Sequence, residues 1–373
     1  KENTGMLLEL DSEEYCQALV TRIDDKVKEL DQRYRGHLGF SGIGDSDERK
    51  LWLNFRWCLP PTFEGRMLRL FDLGNHIEDQ VIEHLGNVLP VAAKDEDGEQ
   101  FNTSLLGGHF AGSTDGLVKD VFPAPNEDTM LLLEVKSAND KRFKELANSE
   151  DYEGWSETYR WQIHCYMGAF NLEYALVVVY NKNTSHLYTQ IIPFNEKIWE
   201  KAQAKAQRII ESSVPFTAGK SESAWEMKYE AQIFKDIYFK RRLPPSANCR
   251  NCLSSKPLTS SNGAVWFCRR HEEARSIEDQ RAGCEDHLWI PDLVNADHFP
   301  EQSTDDVIAY TKEGKTFTNA IKKEIGAMAF SSVEMRELSK IDFDANVMEH
   351  MEPLRTEFNG HYIEAMNEDE DAF

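Results

Sequence analysis

Acidic and basic residues that could share one chemical task lie close together in residues 112–136, GSTDGLVKDVFPAPNEDTMLLLEVK. Asp115 follows a Gly-containing turn, and Glu134 and Lys136 close the apolar run Met130-Leu131-Leu132-Leu133. On a strand, the period of two sends Glu134 and Lys136 to one face, while Val135 packs on the other and offers its backbone carbonyl. Asp115 can meet Glu134 across a hairpin, and the pair can hold a hard divalent cation through oxygens. Two strands furnished in this way have the pattern of a metal-dependent phosphodiesterase site. An acid-x-lysine triplet is also common as an ion pair on solvated strands, but such strands alternate apolar and polar residues. Met130 to Leu133 is apolar throughout, so the run predicts a strand covered on both faces, and charges at its end need a task.

The elements that must position these groups follow from the flanking sequence. Residues 156–170, SETYRWQIHCYMGAF, have helical apolar spacing and put Gln162 and Tyr166 one turn apart on a common face, where both can look at the acids. Residues 69–85, RLFDLGNHIEDQVIEHL, form a second amphipathic helix, on which an unassisted reading makes His76 a surface histidine.

Asp115, Glu134-x-Lys136 and Gln162-x-x-x-Tyr166 together resemble the PD-(D/E)XK nucleases, in particular the RecB-type, lambda-exonuclease-like branch. Thr114 stands where the family name has its proline. The resemblance implies an α/β (α+β) fold with a restriction-endonuclease-like core, a central mixed β-sheet flanked by helices. It implies Mg2+ or Mn2+ held by Asp115, Glu134 and the Val135 carbonyl. RecB-type nucleases carry a histidine on the preceding helix, which implies His76 as a further metal ligand. Glu78, two residues on and pointing away from His76 on an ideal helix, is the second choice. Lys136 would orient or deprotonate the attacking water and steady the pentavalent oxyanion, and Gln162 and Tyr166 would position the DNA strand or the lysine. Residues 40–57, FSGIGDSDERKLWLNFRW, resemble the segment that precedes this helix in RecB-type and CRISPR-associated relatives. There a cysteine often forms part of a four-cysteine iron–sulfur cluster, and no cysteine occurs at Asp45, Ser46 or Asp47, which speaks against that cluster. Cys58, between Trp57 and Leu59, reads as a core thiol.

Four of the seven cysteines fall in one short window: Cys249-x2-Cys252, Cys268 and Cys284. A Cys-x2-Cys turn presents two thiolates from one knuckle, and the other two can close a tetrahedral shell around Zn2+. His271 and His287 are competing ligands; the preferred set is the four thiolates, with a Cys3His set containing His271 as the alternative. Cys16, Cys58 and Cys165 are isolated, and the chain starts without a secretory pattern, so a reducing cytoplasm, bacterial or phage-infected, is the expected location.

At 373 residues, 40% hydrophobic, with 20 Phe, 8 Trp and 12 Tyr, the chain can fill a substantial core and exceeds one ordinary domain. No apolar run approaches the length of a membrane span. The balance of 42 basic against 65 acidic residues, −23 net, has the wrong sign for a surface that grips a polyanion everywhere. Attraction must be focused, by metal ions and by the basic segments 136–144, 239–245 and 268–270 lining a DNA channel; the alternative is ordinary solvated cations. The terminal NEDEDAF, 367–373, reads as a disordered or partner-binding tail.

The expected organisation is a helical region over 1–64, the nuclease core over 65–215, a connector over 216–245, a cysteine-rich zinc module over 246–292 and a helical, acid-rich region over 293–373. Within the core the pattern predicts helix 66–87, strands near 89–93, 109–122 and 129–137, the Gln162 helix, strands at 174–181 and 185–192, and helix 195–212. The activity so implied is a divalent-metal-dependent DNA exonuclease that processes free ends in phage or bacterial recombination and repair, with an annealing protein or helicase as a conceivable partner. The alternatives are an endonuclease component of a defence or CRISPR-adaptation system, and a non-catalytic module that binds DNA ends.

Overall fold

The computed structural model describes residues 12–29, 34–60, 63–121, 129–260, 263–312, 314–324 and 329–339. Helices α1 (Ser12–Lys28), α2 (Glu48–Phe55) and α3 (Gly65–Gly86) precede a five-stranded mixed sheet. Its strands are β1 (Val91–Ala92), β2 (Gly116–Val118), β3 (Leu131–Ala138), β4 (Tyr174–Asn181) and β5 (Leu187–Pro193), in the spatial order β1-β2-β3-β4-β5. β3 and β4 run parallel, with Glu134 opposite Val177 and Lys136 opposite Val179, and the other pairs are antiparallel. The parallel pair needs a crossover, which α4 (Asp140–Ser149), α5 (Tyr152–Trp155) and α6 (Glu157–Phe170) supply before α7 (Glu196–Glu211) closes the layer.

The two faces of this sheet explain its sequence. Residues 131–135 and 175–179 are buried throughout because both faces are covered. One face carries Val118, Leu131, Leu133, Val135, Leu176 and Val178 against Ile77 and Val81 of α3. The other carries Leu132, Ala175, Val177 and Val179 against Ile163 and Met167 of α6 and Ala206 and Ile209 of α7. Each fully buried aliphatic side chain contributes about 1.5–3 kcal/mol, so this layer is a stiff base. The crossover helix α6 starts where the Ser156 hydroxyl accepts from Tyr159 N and stops at Asn171, in the left-handed region at φ 56°.

The single strand expected over 109–122 is two. Phe110–Ser113 joins a separate three-stranded sheet with Asn102–Leu105 and Leu38–Gly39, and only Gly116–Val118 enters the main sheet. The buried Thr114 makes the break: its hydroxyl lies 3.2 Å from Gly116 O and 3.4 Å from Leu133 O, and receives Gly116 N at 3.3 Å. Gly116 permits the close approach of the β1 edge, since a Cβ there would lie 2.9 Å from Ala92 O.

The expectation of a helical end over 293–373 is corrected for its described part. Residues 297–298, 307–312, 315–320 and 329–330 form a four-stranded sheet, with one α-helix among the described residues there, Ser332–Leu338. The reason is visible in VIAYTK and KTFTNA, β-branched and aromatic runs either side of Gly314 at φ 79°. The 367–373 tail lies outside the described residues. In the segment expected as a connector, Gln232–Tyr238 is a packed helix; the buried Tyr238 hydroxyl donates to Asp47 Oδ2 at 2.7 Å, and Arg49 donates to Tyr238 O at 2.8 Å.

The cysteine-rich stretch builds a three-stranded antiparallel sheet from Ser255–Ser260, Gly263–Cys268 and Glu273–Arg275. It docks on the sheet of residues 102–113 through His109, whose Nε2–H reaches Leu258 O at 3.1 Å and Val265 O at 3.2 Å. Gly108, at φ 91°, allows this contact because a Cβ would come within 2.8 Å of Ala264 N. Burial pushes the His109 imidazole down to about 4. The unfolded chain therefore takes up a proton near 6.5 that the folded chain refuses until about 4. Stability from this residue is complete above pH 6.5 and is lost as pH falls toward 4, by about 3 kcal/mol in all. Melting curves recorded across that interval will fall less steeply for His109→Gln than for the parent chain; parallel curves will remove His109 as the source.

Candidate active site

The end of β3 projects Glu134 and Lys136 toward α6, while Val135 packs toward α3. Because β2 pairs only as far as Gly116 opposite Leu133, the next stretch of the β3 edge has no strand beside it. Asp115, in the break before β2, fills that gap: its Oδ2 accepts from Val135 N at 2.8 Å. A residue's N–H and C=O point to the same side of a strand, so the Val135 carbonyl is directed to the Asp115 side as well.

Glu134 is completely buried and its two oxygens differ. Oε1 is paired with the Lys136 ammonium and accepts from Gln162 Nε2 at 2.8 Å; Oε2 is buried without a hydrogen-bond partner. Tyr166, one turn beyond Gln162, packs its ring against Phe40 and over Gly112, with centroids 5.4 Å apart for the Phe40 pair. Lys136, 20% exposed, sits 5.1 Å from the centre of the Tyr159 ring, and the buried Tyr152 hydroxyl, also without a partner, lies in the same field.

The electrostatics are those of crowded acids. Burial, then the charges of Asp115 and Glu78, push Glu134 up to about 8, against the pull of Lys136. Burial and Asp115 push Glu78 up to about 7. Burial raises Asp115 too, opposed by Lys136 and by the Val135 N–H. For Lys136, burial disfavours the ammonium, but Glu134 and Asp115 outweigh it and hold the group well above the usual lysine value. Three carboxyls around one ammonium, with one oxygen orphaned, form an oxygen donor set suited to a hard divalent cation. Among the described residues, however, no group of three His, Cys, Asp or Glu side chains already has a metal-ligating arrangement.

His76 does not join this group. Its side chain is 73% exposed, 3.6 Å from Asp72 on the solvent side of α3, whereas Glu78 is the α3 residue that feels Asp115 and Lys136. Two residues is about 200° of helix, so His76 and Glu78 cannot face the same way, and the apolar contacts of Ile77 and Val81 fix which one turns in. The sequence also gave no role to Tyr152 and Tyr159, although Tyr159, Gln162 and Tyr166 have the i, i+3, i+7 spacing that puts them on one face.

The basic segments expected to line a DNA channel have intramolecular acids. Arg142 pairs with Glu145, Lys144 with Asp140, Arg241 with Asp236 and Glu222, and Arg270 with Asp306. Arg270 also walls a cavity that holds Cys249, Cys252, Cys268 and Cys284 together with His271 and His287. His271 Nε2 is 3.9 Å from Cys284 Sγ and 3.5 Å from Asp286, while His287 is buried and donates from Nε2 to Asn251 Oδ1 at 2.9 Å. No helix among the described residues is long and apolar enough to cross a membrane.

No protein-family model and no curated protein matches the chain. Among solved structures it is similar to an alkaline exonuclease (LHK-Exo) from Laribacter hongkongensis, with 14% identity over 51% of this chain and 90% of that one, at a TM-score of 0.33. LHK-Exo in complex with dAMP gives 14% identity, 47% and 86% coverage and a TM-score of 0.33, and SSO0001 gives 13%, 59%, 95% and 0.34. Likenesses at this level carry no argument about what this chain does.

Proposed function

We propose that the chain is a divalent-metal-dependent deoxyribonuclease of the PD-(D/E)XK type, acting on DNA with a free end. The observation that carries this reading is Glu134: a fully buried carboxylate with one oxygen tied to Lys136 and Gln162 and the other orphaned, beside Asp115 and Glu78. Asp115, Glu134, Glu78 and the Val135 carbonyl would hold Mg2+ or Mn2+. Such an ion, when bound, lowers the pKa of an attacking water and takes up charge on the scissile phosphate.

The remaining work falls to the chain itself. Lys136, leaning on Glu134, orients the water and places a positive charge where the pentavalent oxyanion develops. Gln162 fixes the Glu134 carboxylate through its amide N–H, leaving the orphaned oxygen to face the ligand. Tyr166 packs behind Gln162 and holds its side of the helix against Phe40. The wet, acidic surface repels a polyanion, so binding is concentrated at this one cluster and rises as the carboxyls are neutralised.

The preference for ends rests on the resemblance of the Gln162-x-x-x-Tyr166 helix to end-processing nucleases. Mn2+-dependent digestion of end-labelled linear DNA beside covalently closed circular DNA tests it, with Glu134→Ala as the control. Loss of linear DNA alone, dependent on Glu134, is the expected result. Cutting of the circle makes the enzyme an endonuclease, and digestion that survives Glu134→Ala rejects the site.

A further inference from the structure

Away from the carboxylates, the densest gathering of reactive side chains is the cavity walled by Cys249, Cys252, Cys268 and Cys284. We propose that these four bind one Zn2+ as thiolates, and that the net negative charge of that centre is the counter-ion of two buried arginines, Arg56 and Arg250.

Three separate elements bring the sulfurs to one place. Cys249 and Cys252 come from a tight turn over Cys249–Asn251, Cys268 from the end of its strand opposite Ser255, and Cys284 from the loop after Ile277–Ala282. All four are free thiols. Their chemistry is that of a soft donor set, which favours zinc over the harder ions suited to the carboxylate cluster. Among the described residues the four sulfurs do not form a closed ligating group, and Cys284 is the exposed member.

Two buried cations adjoin the turn that carries Cys249 and Cys252. Arg56 and Arg250 are almost wholly buried, yet neither has a carboxylate partner among the described residues. Arg56 spends its N–H groups on the carbonyls of Arg250, Ser255 and Ser212, at 3.0–3.2 Å. Arg250 donates to Gln280, Gly36 and Phe55 O, with its guanidinium 3.8 Å from the centre of Trp57. Burial, with the Arg269 charge adding to it, pulls Arg56 down to about 10. Two unpaired buried cations side by side are strongly unfavourable unless an anion is near. The thiols are the groups at hand: Arg56 donates to the carbonyl of Ser255, which lines the cysteine cavity, and Arg250 sits between Cys249 and Cys252 on the same turn. As neutral S–H groups they supply no charge.

Metal binding changes that balance without any redox step. Each S–H releases its proton to solvent and its sulfur donates a lone pair to Zn2+, so one dication and four thiolates carry two negative charges against the two arginines. A Cys3His centre would carry only one. The wall of the cavity agrees: the buried Arg270 Nε and Arg275 Nε, and Arg56 Nε behind it, are N–H donors with no acceptor, of the kind that hydrogen-bond to metal-bound sulfur.

Metal analysis and cobalt spectroscopy on the full chain test both halves. The parent protein should carry one zinc ion per chain, which Cys252→Ser loses, and cobalt in its place should show a four-sulfur spectrum unaltered by His271→Ala. Arg250→Met and Arg56→Met should weaken cobalt affinity about 10–100-fold. If those chains do not fold, Arg275→Gln at the cavity wall reports the same weakening. A parent chain that neither retains nor takes up metal overturns the site, and a sulfur–nitrogen spectrum that His271→Ala abolishes overturns the four-thiolate set. Unchanged affinity in the arginine variants overturns the counter-ion. None of these readouts depends on DNA cleavage, so their failure leaves the nuclease reading where it stands.

Discussion

Glu134→Gln will eliminate Mn2+-dependent cleavage, lowering the rate on the order of 10^3-fold or more, without unfolding the protein. The amide keeps the shape and can still meet Gln162, but it carries no charge for a cation and none for Lys136. Lys136→Met should cost about 10^2–10^4-fold through loss of proton transfer and oxyanion stabilisation. The stabilities separate cause from collateral damage. Each single change leaves a buried partner stranded, whereas the double change Glu134→Gln with Lys136→Met removes both charges from a site where burial already disfavours them. The double variant should therefore melt above at least one of the singles while remaining inactive. A single variant that keeps a tenth of the parent rate will remove that residue from the chemistry.

Glu78 and His76 should behave oppositely. Glu78→Ala removes the α3 carboxyl that Asp115 and Glu134 feel, and the expected result is about a 10^2-fold loss of cleavage, with more Mn2+ needed to reach half-maximal rate. His76→Ala deletes a solvated side chain whose neighbour is Asp72, and activity should stay within about twofold. Steady-state cleavage over a manganese titration measures both. A His76 variant that loses metal response while Glu78→Ala does not would mean that α3 is rotated relative to the structure described above.

What could be read from the chain was set by periodicity and by local chemistry. The apolar run Met130–Leu133 announced a strand covered on both faces and the β-branched run over 174–181 a second strand, and the caps at Ser156 and Asn171 delimit the intervening helix. Glu134, Lys136 and Gln162 were legible because neighbouring positions on a regular strand and helix leave little choice of direction. Glu78 was not, because the choice between it and His76 depends on which face of α3 packs on the sheet, a tertiary fact that the i, i+4 pair Ile77 and Val81 decides. The split at Thr114 was hidden for a similar reason: one buried hydroxyl bridging two strands has no periodic trace. The sheet over 297–330 does leave a trace, in the β-branched and aromatic runs either side of Gly314, but the acid-rich composition of the end of the chain is equally that of solvated helices.

The contacts of Arg56 and Trp57 with the cysteine-rich segment also bear on synthesis. Trp57 O accepts from Asn248 Nδ2, 191 residues later, and Arg56 reaches Arg250 O, 194 residues later. At about 5–20 residues per second, these early groups leave the ribosome about 10–40 s before their partners exist. Through that interval Trp57 has no Arg250 to stack against, and Phe55 and Trp266, ring centres 5.3 Å apart in the finished protein, have not met. Sequence-distant closure of this kind slows folding and keeps aromatic surface open to holding chaperones or to other nascent chains. A chain arrested before residue 250 therefore differs from the finished protein in kind: the five-stranded sheet is already synthesised, but one wall of the neighbouring cysteine-rich lobe is still missing.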